Sequence, residues 1–424
     1  MLKIFKSIII SFVICLINTG NVYAETFTLT QCIDIALKSQ PQLISSLALM
    51  NAVQARIGQA QSAYFPAVNL SAGYDRIGSG FFETSHNQYS AGLSLTQNIF
   101  DFGRASAAVD IAHYNLESSS SDYNNNISQV VFNVKQAYYT MVKSMKNLEV
   151  ASEAVKQYSQ HLNQAKEFYA VGVKAKIDVT KANVDYSNAK LKLTTAKNAL
   201  TLSMVNLKKT MGIVEPKEFT IDDKLTINSY NLTVDSALIE AIDNRADLKT
   251  ASAKTKSAEM TARLNKKNYY PTITGKAYYN WQDLSAGVSS SSKTDSFGWG
   301  IGAQINFALF NGFITKKQIE EASLNHNAVR ANEESIRQNI ISEVQLAYIN
   351  LTDAWERIPE ALEVVQQAKE NIDIANGRYS TGVGSPIEVT DAEITYENAK
   401  LAHIAALIDY KISEASIEKA IGVK

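Results

Sequence analysis

Glu388 and Asp391 stand three positions apart just after a glycine-bearing turn, and that place makes them the charges to single out for a chemical role. Residues three apart on a helix share a face. The pair therefore presents two negative charges in one direction, an arrangement that attracts cations rather than one that breaks bonds. Acids at a helix start are also favoured by the helix dipole alone, and that reading stands beside the first. Catalysis has little else to draw on. His86, His113, His161, His326 and His403 are scattered, with no two at ligand spacing. Gly382-Val383-Gly384-Ser385 lacks the lysine and the preceding strand of a phosphate-binding loop. No nucleophile, base and orienting group can be assembled, so neither enzymatic activity nor a metal or cofactor site is expected.

The elements that must position these acids occur twice. Ala36, Pro41–Leu43 and Phe65-Pro66 recur as Ala241, Ala246–Leu248 and Tyr270-Pro271. Phe100-Asp101, Ala137-Tyr138, Tyr169, Gly172-Val173 and Met211-Gly212 recur as Phe310-Asn311, Ala347-Tyr348, Tyr379, Gly382-Val383 and Ile421-Gly422. A repeat of this length reads as a duplicated structural unit. Asp178 is the first-half counterpart of Glu388, whereas Lys181 stands where the second half has Asp391, so only the second copy is doubly acidic.

Lys3 and Lys6, the apolar run Ile8–Ile17 and the small residue Ala24 after Val22-Tyr23 read as a signal peptide over residues 1–24, with the mature chain starting at Glu25. Two lysines leave with it, so 39 basic residues face 42 acidic ones and the mature net charge is −3. That balance suggests neither a nucleic-acid surface nor a polybasic membrane anchor. Cys32 is the only mature cysteine, which excludes an intrachain disulfide.

No later stretch has the 18 or more consecutive apolar residues of a spanning helix, so any membrane crossing must use strands. Val68–Asp75 and Tyr89–Thr96 alternate apolar with polar residues, and so do Thr272–Trp281 and Phe297–Phe307. Each is expected to span about nine to eleven residues, the length that crosses a tilted barrel wall. Tyr89, Trp281, Phe297 and Trp299 lie near strand ends, as in an interfacial girdle. A soluble hairpin with one face on a core would also alternate. The polar stretches Ile77–Gln88 and Asp283–Ser296 are expected as hairpin loops.

The remainder is expected to be helical. From Asp101 to Ala170 no proline occurs, and no glycine after Gly103, while Val131, Val134, Tyr138, Met141, Met145 and Leu148 step by three and four. A helix of some 65 residues is about 100 Å long. Ile314–Asn376 matches it, with Pro359 expected to bend or open it. Shorter helices are expected over Leu29–Ala63, Ile177–Met211, Leu232–Asn268 and Ile387–Ile421, with starts at Thr30 and at Ser385-Pro386. Residues 25–212, with a strand hairpin at 68–100, thus form one repeat. Residues 232–424, with a hairpin at 272–307, form the other, and 213–231 is a linker or small equatorial element. Gly172 and Gly382 supply the backbone freedom for a return turn, so each long helix ends in a helical hairpin tip.

Four strands cannot close on themselves, and an open edge in hydrocarbon costs several kcal/mol for each unpaired backbone group. Closure requires several copies. Three give twelve strands and a lumen wide enough for solutes, which is preferred over two.

With these elements in order, the chain resembles the TolC-like outer-membrane efflux protein family. The resemblance covers essentially all of Glu25–Lys424. It rests on Tyr64-Phe65-Pro66 and Tyr269-Tyr270-Pro271 before the strands, and on Asn98–Arg104 and Ala308–Gly312 after them. The third element is the pair of turns Tyr169–Val173 and Tyr379–Val383. It implies a mostly α-helical protein with a membrane β-barrel: a homotrimer whose twelve-stranded barrel, four strands per chain, lies in outer-membrane lipid and continues into a long periplasmic tunnel. It also implies a passive exit duct for tripartite efflux or type I secretion, docked to a periplasmic adaptor and an inner-membrane pump. Glu388 and Asp391 look like the family's entrance rings. Tyr169, Gly172, Val173, Arg378, Tyr379, Gly382 and Val383 would form the gate and adaptor-docking tips. Where the family places a latch arginine after the turn this chain has Gly384-Ser385, and Arg378 is the candidate substitute. The competing reading is a non-conducting structural or adhesive anchor with a periplasmic coiled-coil spacer. The polar strand residues Lys276, Asn280, Gln304 and Asn306 favour conduction.

Overall fold

A computed structural model describes residues 25–79, 84–213, 219–230, 232–285 and 293–423. The expected leader, and residues 80–83 and 286–292 of the expected strand-hairpin loops, lie outside the described residues. The first half comprises β1 (Glu25–Phe27), α1 (Leu29–Ser39), α2 (Pro41–Gln61), β2 (Ala67–Ser79), β3 (Thr84–Phe100), α3 (Arg104–Ala170) and α4 (Lys176–Met211). After β4 (Phe219–Ile221) come α5 (Val234–Asn244), α6 (Ala246–Lys267), β5 (Thr272–Ser285), β6 (Lys293–Asn306), α7 (Ile314–Ser380) and α8 (Pro386–Ala420).

Two of the expected helices are each broken in two. Gln40 has the extended backbone (φ −70°, ψ 117°) that a residue before proline prefers, so 29–63 divides at Pro41. Its first start is Thr28, not Thr30. The Thr28 amide donates to Gln31 Oε1 at 2.8 Å and the Gln31 amide donates to Thr28 Oγ1 at 3.3 Å, a reciprocal capping box. The second break, at Arg245 (φ −58°, ψ 121°), has no proline. Its guanidinium is buried instead, 2.6 Å from Asp247 Oδ2 and 2.7 Å from Glu343 Oε2, and it donates to the Ala420 carbonyl at 3.3 Å. This fixes the bend from outside the helix. Pro359, by contrast, does not open α7, which runs through all 67 residues. One missing N–H is a small loss for a helix held along its length by a neighbour.

The strands are longer than expected, at 13, 17, 14 and 14 residues. Pairing continues into the stretches read as loops, with Ile77 opposite His86 and Asp283 opposite Asp295. The sheet order is β2-β3-β5-β6, antiparallel throughout, which leaves β2 and β6 as edges. Opposed residues share a face, so the register collects Val68, Leu70, Leu93, Leu95, Tyr279, Trp281, Phe297, Trp299, Ile301 and Ile305 on one side. Asn69, Ser71, Ser94, Lys276, Asn280 and Gln304 collect on the other. Leu70 and Ile301 on the apolar side are each 80 % exposed. No helix among the described residues is long and apolar enough to cross a membrane.

Each 67-residue helix, about 100 Å long, has different neighbours at its two ends. Near the sheet α3 packs between α2 and α6, and α7 lies against α6. Toward the tips α3 packs with α4 and α8, and α7 with α8. The core sits midway. Val130, Val134, Tyr138, Met141 and Val142 of α3 meet Cys32, Leu43, Leu207, Met211, Phe219 and Ile221, while Ile340, Val344 and Leu351 of α7 meet Ala237, Leu248, Tyr410 and Ile417. Within the 213–231 stretch, the described residues 219–230 are tied to the rest of the chain. Here β4 pairs in parallel with β1, the Tyr138 hydroxyl donates to the Asp222 carbonyl at 2.5 Å, and the Tyr410 hydroxyl donates to the Asn228 carbonyl at 2.5 Å.

Left-handed backbone occurs at matched places in the two halves. Gly172 and Gly382 have φ of 78° and 82°, and Gly212 and Gly422 have 74° and 78°. At the strand-to-helix corner the pair is Phe102-Gly103 (54°, 79°) in the first half and Gly312-Phe313 (64°, 66°) in the second. The corner needs two left-handed residues, and either order of glycine and phenylalanine fills it.

Candidate functional site at the helical hairpin tips

α3 and α7 end where their last carbonyls are capped by the turn that follows. In the first tip the Gly172 amide donates to the Tyr169 carbonyl at 3.0 Å and the Val173 amide to the Phe168 carbonyl at 2.9 Å. In the second, Gly382 donates to Tyr379 at 3.0 Å and Val383 to Arg378 at 3.1 Å. This bond pair, closed by a left-handed glycine, is the ending expected for a helix that reverses.

The new helices start differently. In the first, the Ala175 amide donates to Asp178 Oδ2 at 3.3 Å. In the second, Ser385 Oγ accepts the Ile387 amide at 3.2 Å and Pro386 fills the first turn. Gly384 is needed for space. A Cβ there would lie 2.7 Å from the Tyr379 backbone nitrogen and 2.9 Å from the Arg378 carbonyl carbon. An arginine cannot occupy this position without moving the turn.

The acids named from the sequence are exposed on α8. Glu388 accepts a bond from Arg378 Nε at 3.3 Å, across the turn of its own hairpin. No salt bridge among the described residues reaches Asp391. Arg378 thus offsets one of the two carboxylates and leaves the other uncovered. Asp178 is half-buried and near enough to Tyr379 to help burial push that phenol up. The repeated tyrosines have opposite surroundings: Tyr169 is 47 % exposed and Tyr379 fully buried. Tyr379 packs on His161 and Phe168 of the first hairpin, with ring centroids 4.8 and 5.6 Å away. Val173, Gly382 and Val383 are exposed at the tips.

Sequence reasoning missed the residues that join the hairpins. Lys174 bridges the two turns. Thr390 Oγ1 donates to Asp185 Oδ2 at 3.1 Å, and Lys192 Nζ lies 2.8 Å from Glu397 Oε2. Glu393, between those contacts, is buried. Val389, Glu393 and Glu397 follow one another at four-residue steps, and the apolar Val389 in that row was the available signal.

No described group of His, Cys, Asp or Glu could hold a metal ion. What the chain offers is a charged tip at one end of a helical wall and an apolar-faced sheet at the other, the class of a membrane-anchored conduit. The sequence matches the outer membrane efflux protein family over residues 32–213 and 237–423, and the chain belongs to that family. It is an outer-membrane exit channel of an efflux or secretion system with its helical part in the periplasm, and it is not an enzyme. Vibrio cholerae outer membrane protein TolC is 24 % identical over 407 residues, covering 95 % of this chain and 92 % of that protein. Escherichia coli TolC is 23 % identical over 410 residues, covering 94 % and 83 %. The crystal structure of the Campylobacter jejuni CmeC outer membrane channel shares the fold, with TM-score 0.81 at 19 % identity over 93 % of this chain and 85 % of that one.

Proposed function

We propose that three copies of this chain close a twelve-stranded barrel, the β6 edge of one copy pairing with the β2 edge of the next, above a continuous helical tunnel. The open sheet, apolar on one face and polar on the other, carries this reading, because its two unpaired edges need partners in hydrocarbon. The polar face then lines the lumen. Each chain supplies two repeats, 25–212 and 232–424, and the paired left-handed corners support that duplication.

The tips around Tyr169, Gly172, Val173, Arg378, Tyr379, Gly382 and Val383 form the periplasmic gate and receive an adaptor protein, which links the duct to an inner-membrane pump. Energy comes from the pump. Glu388 and Asp391, once per chain, form two acidic rings at the entrance, where water is scarce and like charges focus the field. Asp178 adds a first-repeat carboxylate at the same level.

Two measurements test this together. The detergent-solubilised complex should have the mass of three chains, and it should conduct ions in planar bilayers. A stable monomer, or a trimer that never conducts, would overturn the reading.

A further inference from the structure

About two turns into α8, a third carboxyl lies where solvent does not reach it. Glu393 is 5 % exposed and its Oε2 has no hydrogen-bond partner. It faces the first hairpin. From α4 come Asp185, with Lys181 Nζ 3.5 Å from Asp185 Oδ2, and Lys192, held 2.8 Å from Glu397 Oε2. From α3 come Tyr158 and His161, both buried. On its own helix Glu393 has Thr390, already bonded to Asp185, and Glu397. One turn further along, Lys400 is paired with Glu153 of α3. From α7 come Lys369 and Asp373, 2.5 Å apart and exposed, each taken by the other. Three carboxyls, Asp185, Glu393 and Glu397, therefore share two ammonium groups, and both ammonium groups lie against the other two acids.

We propose that the Glu393 carboxyl is a proton-binding site between the hairpins: protonated, it lets α8 lie against α3 and α4, and ionised, it adds an unpaired charge that drives them apart. Burial first, then Asp185 and Glu397, push Glu393 from 4.5 up to about 8, with Lys181 opposing. A folded-state value above the unfolded one means the packed state holds the extra proton. The contact is at full strength below about pH 4.5 and weakens as pH rises through about 8. His161 acts in the opposite sense, because burial lowers it and the packed state loses stability once the imidazole must charge. As pH rises above the ordinary imidazole value of 6.5 that opposing effect fades, and the weakening toward about pH 8.5 follows Glu393. A cleft of about 360 Å³ lined by Tyr158, Asp185, Asn188, Leu191, Lys192 and Ile394 brings solvent to Asp185, one of the carboxyls that act on Glu393.

If the tips gate a duct, as proposed above, this proton makes the resting gate tighter at mildly acid pH than at alkaline pH. The proton site itself does not depend on that reading. The test is hydrogen exchange by mass spectrometry on the full-length, detergent-solubilised protein at pH 6.5 and 8.5, normalised to an unstructured peptide. Amides of the second tip and early α8 should open about tenfold more at the higher pH. Glu393→Gln, which keeps the shape and cannot ionise, should abolish that difference. Asp185→Asn still accepts from Thr390 but removes a repelling charge, and should move the inflection to lower pH. Exchange that is independent of pH in the native chain, or equally dependent in Glu393→Gln, overturns the proposal. Parallel bilayer recordings separate the two ideas: pH-dependent exchange with no conductance at any pH supports the proton site and removes the duct.

Discussion

Lys174, in the turn of the first hairpin, donates from Nζ to the backbone carbonyl of Gly384 in the turn of the second at 3.0 Å, across 210 positions of sequence. The same ammonium lies 5.3 Å from the centroid of the Tyr379 ring. One side chain therefore satisfies an end-of-turn carbonyl and caps the aromatic ring buried beneath it. Separating the tips breaks both contacts at once. Lys174→Met keeps the aliphatic stem and removes the charge, and should cost the resting contact about 1–2 kcal/mol. Single-channel recordings should show shorter closed intervals with unchanged open conductance, and intervals of native length would leave Lys174 without a role in the gate.

If Glu388 and Asp391 line the entrance as proposed, the two carboxylates should not be equivalent. Arg378 lies 3.3 Å from Glu388, whereas Asp391 has no such partner among the described residues. Asp391→Asn should lower the cation-to-anion permeability ratio about twofold or more, and Glu388→Gln should lower it less. Arg378→Gln should raise it by uncovering Glu388. Replacing both acids with alanine should also weaken block by a trivalent cation from the tip side, with the trimer intact. Reversal potentials in a salt gradient give all four results, and equal effects of the two single changes would show that the Arg378 pair does not persist in the assembled pore.

Much of this architecture was legible because each element carries its own period. The two-residue alternation of Phe297–Phe307 and the three-and-four spacing from Val131 to Leu148 each admit one regular structure, and the glycine turns mark where the chain reverses. What was not legible depends on contacts between elements. Strands continue past their apolar–polar alternation because a neighbouring strand supplies partners, so Asn87 and Gln88 pair although they read as loop. The break at Arg245 is held by Glu343 and Asp247, and a proline count cannot find it. Glu393 reads as one more acid on a solvated face until α3 and α4 are laid against it.

Gly384→Arg would put an arginine into the Gly384-Ser385 stretch, where the resemblance to the efflux family implies one, and here it should fail. The added Cβ meets backbone at 2.7 Å, and backbone cannot move aside as a flexible side chain can. A cost of about 1–3 kcal/mol is expected from the forced shift. It should appear as faster proteolytic nicking within the second turn, with the barrel end unaffected. Nicking at the native rate would show that the turn re-forms without this close approach.

Cys32 has no exposed surface, and burial pushes its thiol from 9.0 up to about 11. The folded state keeps its proton to higher pH than the unfolded chain does. Its contribution is therefore full below about pH 9 and is lost as pH rises toward 11. At pH 8 a thiol reagent should label the native protein slowly and the urea-unfolded chain at once. Equal rates would mean that the α1 end of the core opens readily.

Ile301 and Gly302 are neighbours on β6 with opposite surroundings. Ile301 is 80 % exposed on the face shared with Trp299 and Ile305, and a Cβ at Gly302 would meet nothing within 4 Å on the polar face. If the apolar face meets lipid and the polar face lines the pore, the same arginine should do different things one residue apart. At Ile301 it must be held in hydrocarbon, a penalty of about 2–4 kcal/mol near the bilayer midplane and less toward the interfaces. Each trimer would carry three such charges, so Ile301→Arg should sharply reduce the membrane-inserted fraction that survives urea extraction. At Gly302 the guanidinium can stay in water. Gly302→Arg should insert normally and conduct, with lower conductance and a shift toward anions from three added positive charges. Normal insertion of both variants would mean that the exposed apolar face is covered by protein rather than lipid, and failure of both would mean that the small residues of β6 are needed for packing at the seam between copies.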